Sequence, residues 1–511
     1  MKFLRQSPFI RLLLFFVCGI VTQSNTDMAS GLSPLSVAAV LLIGVSFLPF
    51  VSKNYSRRWL FGLGLGVGLF AAGAFATQLS QQKKTWNDAL VSTHLYEAVV
   101  LEDPVLKPRS RMCCVEIRSA EDSIYREVVG KKAVLYLALD SLSEGIVAGN
   151  RLFFYAKLEA APPYLREFAA SGFVPAGQWV LASENVIAGQ ARNDVRRATT
   201  ERSIPILALN VRRACLAKLQ EIVPNHASYG IAAAMMFGDR RDLDADLKQS
   251  FANIGAAHIL AISGTHFTIL FGMLYYLLTF LGNSRRAKML RHGLMLPLIW
   301  GFAFMTGFSP SVFRATLMMS LWAVGDAFSF RSLTLNTVAT AAFFMLLYEP
   351  FYLFDVGFQL SFLAVVSIVL VNPPLVRLYQ SRNPLLRYVW ELCCVSVAAQ
   401  IGVLPLTVYY FHQFPVLFLA TNILLLPLSS ILIALIPATL LVVAPFGNFP
   451  LITMPLNLCL DGFIAVTRTL DAYSYHNISG IFISGWEMAA WSMFIAVFLY
   501  IVLKKAKQAH R

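Results

Sequence analysis

Residues 255–281 read GAAHILAISGTHFTILFGMLYYLLTFL, a run of membrane length that carries His258, Ser263, Thr265 and His266 beside the flexible Ser263-Gly264 pair. An unsatisfied polar group in hydrocarbon costs several kcal/mol. Polar side chains and a potential helix break at that depth therefore read as an interior, functional face.

The whole chain has the same character. It has 511 residues, 57% of them hydrophobic and 14% charged, with a mean hydropathy of +0.62. That is too apolar for a water-soluble protein of this size and predicts a polytopic α-helical membrane protein. The net charge of +14 fits either nucleic-acid binding or the positive-inside excess of cytoplasmic loops, and its location decides. The seven cysteines show neither CxxC spacing nor a zinc pattern, so neither a metal nor a cofactor is expected from them.

Lys2, Arg5 and Arg11 flank an apolar run at 9–21, and further runs follow at about 34–51 and 59–79. No small-residue cleavage site closes the first, so residues 1–83 read as three retained spans. With the amino terminus and the Lys53, Arg57, Arg58 loop cytoplasmic, the chain beyond about residue 80 lies outside. Residues 84–200 change character: alternating runs at 96–101, 112–117, 133–139, 151–158 and 178–182 predict a small extracytoplasmic β-barrel. There Lys107, Arg109, Arg111, Arg118, Lys131, Lys132, Arg151 and Lys157 are candidate contacts for a nucleic-acid backbone, with Tyr96, Tyr136 and Phe154 as stacking surfaces. The segment holds 14 basic and 14 acidic residues, so the charges read equally as a solvated surface and the aromatics as core. Cys113 and Cys114 are neighbours on a strand, point to opposite faces and are not expected to bond.

Residues 201–250 form an amphipathic connector. Its Asp239, Asp242, Asp244 and Asp246 lack the glycine and terminal glutamate of a calcium loop. From 251 to 503 spans are expected near 255–281, 292–308, 312–329, 333–348, 354–371, 388–411, 415–444, 447–470 and 486–503, about twelve helices in all. Arg285, Arg286, Lys288 and Arg291, then Arg331, then Arg377, Arg382 and Arg387, and the tail 504–511 with Lys504, Lys505 and Lys507, then fall in cytoplasmic loops. The proline-rich run 415–444 reads as a broken or re-entrant helix.

The run from His258 to His266 resembles the HLLAISGLH signature of the ComEC-type competence proteins, with Thr265 and Phe267 where that family usually has Leu and Val. GFSPSVFRA from Gly307, FDVGFQLSF from Phe354 and AQIGVLP from Ala399 are similar to its later blocks, in its order. Met235 to Arg240 resembles its LLLGDR segment. The resemblance implies an inner-membrane channel that passes single-stranded DNA into the cytoplasm during natural transformation, with an OB-like domain after the third helix. It implies as partners an extracytoplasmic DNA receptor, a separate nuclease or strand-separating factor, and a cytoplasmic helicase or single-strand-binding protein. Many members also carry a metallo-β-lactamase-like domain. No HxHxDH cluster and no P-loop occurs in this sequence, so it reads as a form lacking that domain and as no enzyme.

A strand of DNA needs a polar route that is weakly attractive at every point. The candidates are His258, Ser263, Thr265, His266, Arg314, Asp355, Gln359, Ser361, Gln400 and Asn422. The same residues read otherwise as interhelical hydrogen bonds, a snorkelling or acid-paired Arg314, and a helix cap at Asp355. Two other functions stay open. One is a membrane-embedded hydrolase using His258, Ser263, His266 or Asp355; the other is a small-solute transporter, which would want paired broken helices.

Overall fold

The computed structural model describes residues 8–25, 58–86, 93–120, 128–140, 143–162, 168–181, 203–282, 284–328, 334–447, 449–474 and 478–509. It divides into two compact units, one of residues 15–211 and one of residues 212–511 with 1–14.

The first unit holds most of α1 (Pro8–Ser24) and all of α2 (Arg58–Lys84). Glycines let these two helices touch: a Cβ on Gly19 would fall on the Phe70 carbonyl, and one on Gly73 on the Phe16 carbonyl. The span expected at 34–51, with Lys53 and Arg57, lies outside the described residues.

A sheet follows, made of β1 (His94–Val100), β2 (Val105–Leu106), β3 (Ser110–Ala120), β4 (Lys132–Ala138), β5 (Arg151–Ala156), β6 (Glu159–Ala160), β7 (Ala170–Val174) and β8 (Trp179–Leu181). The five runs of alternating residues became β1, β3, β4, β5 and β8. The short β2 and β6, and β7 with its Ser-Gly centre, carry no such signal. The strands run β6-β7-β4-β3-β1-β5-β8, with β2 on β3. All pairings are antiparallel except β4 with β7, and β1 carries a bulge between Glu97 and Ala98.

Period two along the strands sorts the side chains. Tyr96, Ala98, Val115, Ile117, Leu135, Leu137, Leu152, Phe154 and Trp179 form the core, while Leu95, Phe153, Tyr155 and Val180 are exposed. This corrects the expectation for two of the stacking aromatics. Tyr96 and Phe154 are 0% and 1% exposed and stack on each other with ring centroids 5.3 Å apart, so they hold the core together and cannot meet bases. Cys113 is buried, Cys114 is half-buried, and both are free. Burial, with Cys114 beside it, pushes the Cys113 thiol up to about 12, so it stays protonated and inert.

The second unit is helical: α3 (Ser203–Ile222), α4 (His226–Phe237), α5 (Ala245–Asn253), α6 (Ala257–Leu260), α7 (Gly264–Leu277), α8 (Arg285–Met305), α9 (Pro310–Ala327), α10 (Thr334–Tyr348), α11 (Val356–Val376), α12 (Pro384–Phe411), α13 (Phe418–Phe446), α14 (Pro450–Ala472) and α15 (Gly485–Ala509). A two-stranded ladder of β9 (Gln413–Phe414) and β10 (Ile478–Ser479) joins the approaches to α13 and α15. Among the described residues five segments are long and apolar enough to cross a membrane: Gly264–Leu281, α11, α12, α13 and α14. The protein is a multi-pass membrane protein.

The central run breaks where the Ser263-Gly264 pair suggested, between α6 and α7. Two expectations are corrected. Arg285, Arg286, Lys288 and Arg291 do not form a loop but the first turns of α8, whose cap Ser284 accepts from the Ala287 amide at 3.1 Å. The run 415–444 is neither broken nor re-entrant: α13 is continuous through Pro427, Pro437 and Pro445. Each proline removes one backbone hydrogen bond, and burial of one face of α13, from Thr421 to Val443, holds it in place of those bonds.

α11 packs tightly on α12. Ser367 Oγ donates to the Ala398 carbonyl at 2.6 Å, and a Cβ on Gly402 would lie 2.5 Å from Ser367 Cβ and 2.9 Å from the Leu363 carbonyl. Gly402→Val is therefore expected to destabilise the protein by about 1–3 kcal/mol by overpacking, read as a lower unfolding midpoint. Phe154→Ala should cost about 3–5 kcal/mol, whereas Phe153→Ala, one residue away on the exposed face, should change stability by less than about 0.5 kcal/mol. Equal effects of these two would contradict the strand register.

Candidate functional site

The bend that precedes α7 gathers the motif segments. α4 ends at Gly238, whose φ of 69° sits in the left-handed region and whose amide, with that of Asp239, caps the Ala234 and Ala233 carbonyls. A Cβ there would meet Ile262 Cδ1 at 3.3 Å and the Thr306 carbonyl at 3.6 Å. Ser311 Oγ donates to the Ile262 carbonyl at 2.8 Å. Gly255, with φ 75°, turns the chain where a Cβ would lie 2.7 Å from the Pro415 ring and 3.9 Å from Phe418. The start of α7, the end of α4, the α8–α9 turn and the start of α13 thus surround residues 255–264.

Local chemistry explains the break. Residues 261–263 are extended, and Ser263 caps α7 with φ −110° and ψ 170°. The Ser263 N–H donates to His266 Nδ1 at 3.2 Å, and Ser263 Oγ lies 2.8 Å from the same nitrogen. This is a capping box with histidine in the place of the usual Glu or Gln. Because a backbone N–H can only donate, Nδ1 is an acceptor and Nε2 carries the ring proton. Nε2 is buried with no partner among the described residues, and the residue is 2% exposed. The serine–histidine distance suits a nucleophile and base, but a third group that orients the ring from Nε2 is lacking.

The second strand of the site is the α8–α9 turn. Gly307 (φ 80°) and Phe308 (φ 58°) are both left-handed, a conformation that costs a bulky side chain energy. The Phe308 ring lies 4.8 Å from that of Phe304 and 5.4 Å from that of Phe313, which holds it there. Ser309 and Pro310 then start α9, in which residues 312–316 are all buried. Arg314 among them is 5% exposed, with Nη1 unpartnered and its guanidinium 5.7 Å from the Phe362 ring. It does not reach the surface, and among the described residues it pairs with no acid.

The remaining candidates divide. Asp355 is the cap of α11, accepting from the Phe358 amide at 2.7 Å. Gln359 is used at both ends, donating to the Leu353 carbonyl at 2.9 Å and accepting from the Tyr410 hydroxyl at 3.0 Å. These two build the α10–α11–α12 junction. Ser361 and Gln400 are half-buried, and Thr265 and His258 are exposed, with His258 Nδ1 3.1 Å from the Gly255 carbonyl. Asn422 Oδ1 is buried without a partner, as is Thr421 Oγ1, a residue that no sequence signal singled out.

Sequence reasoning also missed a cluster at the far end of α7, α8 and α9. Arg291 is fully buried, donating through Nε and Nη2 to the carbonyls of Leu278 and Gly282 and lying over the Tyr275 ring. His292 Nε2 is 2.9 Å from Asp326 Oδ2, and Lys288 is 3.5 Å from its other oxygen. Expected as loop charge, Lys288 and Arg291 instead lock three helices together.

In the sheet unit Arg118, Arg151 and Lys157 pair with Glu116, Glu97 and Glu159. Lys131 donates to the Thr85 carbonyl at 2.6 Å, and Arg111 is half-buried. Lys107, Arg109 and Lys132 stay exposed.

Asp239 meets no other acid. Arg241 grips it through Nε at 2.9 Å and Nη2 at 2.6 Å, with Arg212 at 3.8 Å. Burial raises the Asp239 carboxyl, but the hydrogen bonds and charge of Arg241, helped by Arg212, outweigh it and hold it below its ordinary value. The stability from this pair is therefore complete above the unfolded carboxylate value of about 4 and is lost as the pH falls through the lower folded value. Asp239→Asn should lower the unfolding midpoint at pH 7. The gap to the parent should close below about pH 4 in melts recorded across pH; a gap that stays constant would contradict the pairing.

The family described as Competence protein matches residues 235–507, which contains every motif segment at the bend. ComE operon protein 3 of Bacillus subtilis (strain 168) is 32% identical over 219 residues, 43% of this chain and 27% of that protein. An uncharacterized protein of Aquifex aeolicus (strain VF5) is 28% identical over 247 residues, 48% of this chain and 53% of that protein. The chain thus spans about a quarter and about a half of these relatives' lengths, and no solved structure matches it. With more than half of its residues matched, the chain belongs to the competence protein family.

Proposed function

We propose that this protein is an inner-membrane channel that passes single-stranded DNA into the cytoplasm during natural transformation. The observation that carries the reading is the bend at residues 255–264, a broken helix with buried, unpartnered Arg314 and His266 beside it. Irregular backbone at membrane depth is tolerated where it is covered by protein or lines a polar route. His266, Arg314 and Asn422, with Ser361, Gln400, Thr265 and His258, line that route, while Asp355 and Gln359 frame it.

The finer architecture belongs to the same proposal. About twelve helices cross the membrane, both termini are cytoplasmic, and the sheet unit is extracytoplasmic. An OB-like barrel is supported by the β1-β3-β4 meander, the parallel β4–β7 pair and the return of β5 beside β1. Lys107 and Arg109, exposed at the β2–β3 turn, receive DNA there with Lys132. The chain breaks no bonds itself. A DNA receptor, a nuclease or strand separator, and a cytoplasmic helicase or single-strand-binding protein deliver and pull the strand.

Deleting the gene in a competent host should leave external duplex DNA nuclease-protected in the envelope while transformation of a chromosomal marker falls to background, and a plasmid copy should restore it. An unchanged transformation frequency would sink the channel reading. Lys107→Glu with Arg109→Glu should flatten the salt dependence of oligothymidylate binding, by roughly 0.7 in log–log slope for each phosphate no longer neutralised. An unaltered slope would remove those two residues from the DNA path.

A further inference from the structure

Among the described residues two arginines are buried, Arg291 and Arg314, and they differ in kind. Arg291 has carbonyl acceptors for Nε and Nη2 and only its Nη1 is unpartnered. Arg314 is 5% exposed, and among the described residues no carboxylate lies within ion-pair distance and no acceptor takes its hydrogens. Its guanidinium carbon lies over the Phe362 ring, 5.7 Å from the centroid, and its Nη1 has no acceptor among the described residues. A buried cation with no counter-charge is strongly unfavourable unless something supplies the charge.

The surroundings are suited to an anion. Ser311 Oγ at 2.8 Å from the Ile262 carbonyl fixes the first turn of α9 against the start of α7, and Arg314 follows Ser311 by three residues on the same helix face. The contact of Gly255 with Pro415 and Phe418 brings in the start of α13, with Thr421 three residues beyond Phe418. Three helices of 14, 18 and 29 residues therefore begin around one bend, and their amino-terminal ends carry partial positive charge. α9 and α13 lack a side-chain cap on their first amides. His266, 2% exposed, keeps a proton on Nε2 for which the described residues provide no acceptor.

We propose that the bend before α7 is a phosphodiester-binding station, in which Arg314 and His266 Nε2–H hold one phosphodiester group amid the amino-terminal turns of α7, α9 and α13. The station rests on the DNA-channel reading for the polymer that supplies the group. A single arginine and one imidazole hold one phosphate and no more, so a chain of phosphates passes by exchange, each displacing the last.

The test uses the full chain. In one arm, protein in maltoside micelles, which contain no phosphate, is titrated with dT12. In the other, protein in phosphatidylglycerol nanodiscs is compared with protein in micelles, with no DNA added, by thermal melting. Arg314→Met should weaken dT12 binding about tenfold and lower the log–log salt slope by roughly 0.7. Its melting midpoint in DNA-free micelles should be unchanged or higher, because an uncompensated buried charge is removed. Should Arg314→Met not fold, Arg314→Gln carries the same binding readout, and Arg314→Lys should bind with intermediate strength because it keeps charge without the fork. If only phosphatidylglycerol stabilises the parent, and Arg314→Met abolishes that, the station stands with lipid and not DNA as its source, and the channel reading is decided by the gene deletion. If Arg314→Met or Arg314→Gln binds dT12 with parental affinity and slope and responds to the lipid as the parent does, the station is overturned, while loss of transformation on gene deletion would still uphold the channel.

Discussion

The hydrogen bond from Ser311 Oγ to the Ile262 carbonyl is the constraint on which the helical unit turns. Residues 261–263 lie between α6 and α7, so backbone groups such as the Ile262 carbonyl are left out of the helical hydrogen-bond ladder. Such groups at membrane depth must be satisfied by protein. Ser311 takes one of them, and in doing so it ties α9 to the start of α7 and brings Arg314 alongside. Gly238 and Gly255 complete the enclosure by omitting side chains where Ile262, Thr306 and Pro415 approach. Three motif segments separated in sequence, with the start of α13, thus share one physical task.

The helices around this bend divide the work. α11 and α12 form a close pair through Ser367 and Gly402. Asp355 and Gln359 are committed to that frame, one as a helix cap and the other as a bridge between the Leu353 carbonyl and Tyr410. α7, α8 and α9 are pinned at their far end by Arg291 and by His292 and Lys288 on Asp326. Beside the bend, Arg314 Nη1, His266 Nε2, Thr421 Oγ1 and Asn422 Oδ1 are buried without a partner among the described residues. In a membrane protein this contrast between committed and uncommitted polar groups separates scaffold from site more sharply than residue type does.

Much of this was legible in the sequence. Hydropathy located α11, α12, α14 and the span beginning at Gly264, and period-two alternation located five of the eight strands, because both signals come from burial on a fixed repeat. The position of the site was legible because polar residues in apolar runs are costly to bury. Its internal assignment was not. Asp355 is a cap and Arg314 is unpaired for reasons that depend on chain far away in sequence. Tyr96 faces the core and Leu95 does not, a choice of register that alternation alone leaves open by one residue. Lys288 and Arg291 counted as loop charge because a charged run at the edge of an apolar span looks the same whether it is solvated or folded into the next helix. The prolines of α13 suggested a break that tertiary packing overrides.

The contact between Gly255 and Pro415 also has a meaning in the time of synthesis. The bend is made early, Ser311 reaches it 49 residues later, and Pro415 arrives about 160 residues after Gly255, which at roughly 5–20 residues per second is about 8–32 s. Throughout that interval the open side of the bend lacks its cover, so its polar backbone must be sheltered by water, by lipid headgroups or by the insertion machinery. Closure of the site therefore comes late in biogenesis, after α11 and α12 have been made, and α13 completes an enclosure whose first wall was laid down before half of the helical unit existed.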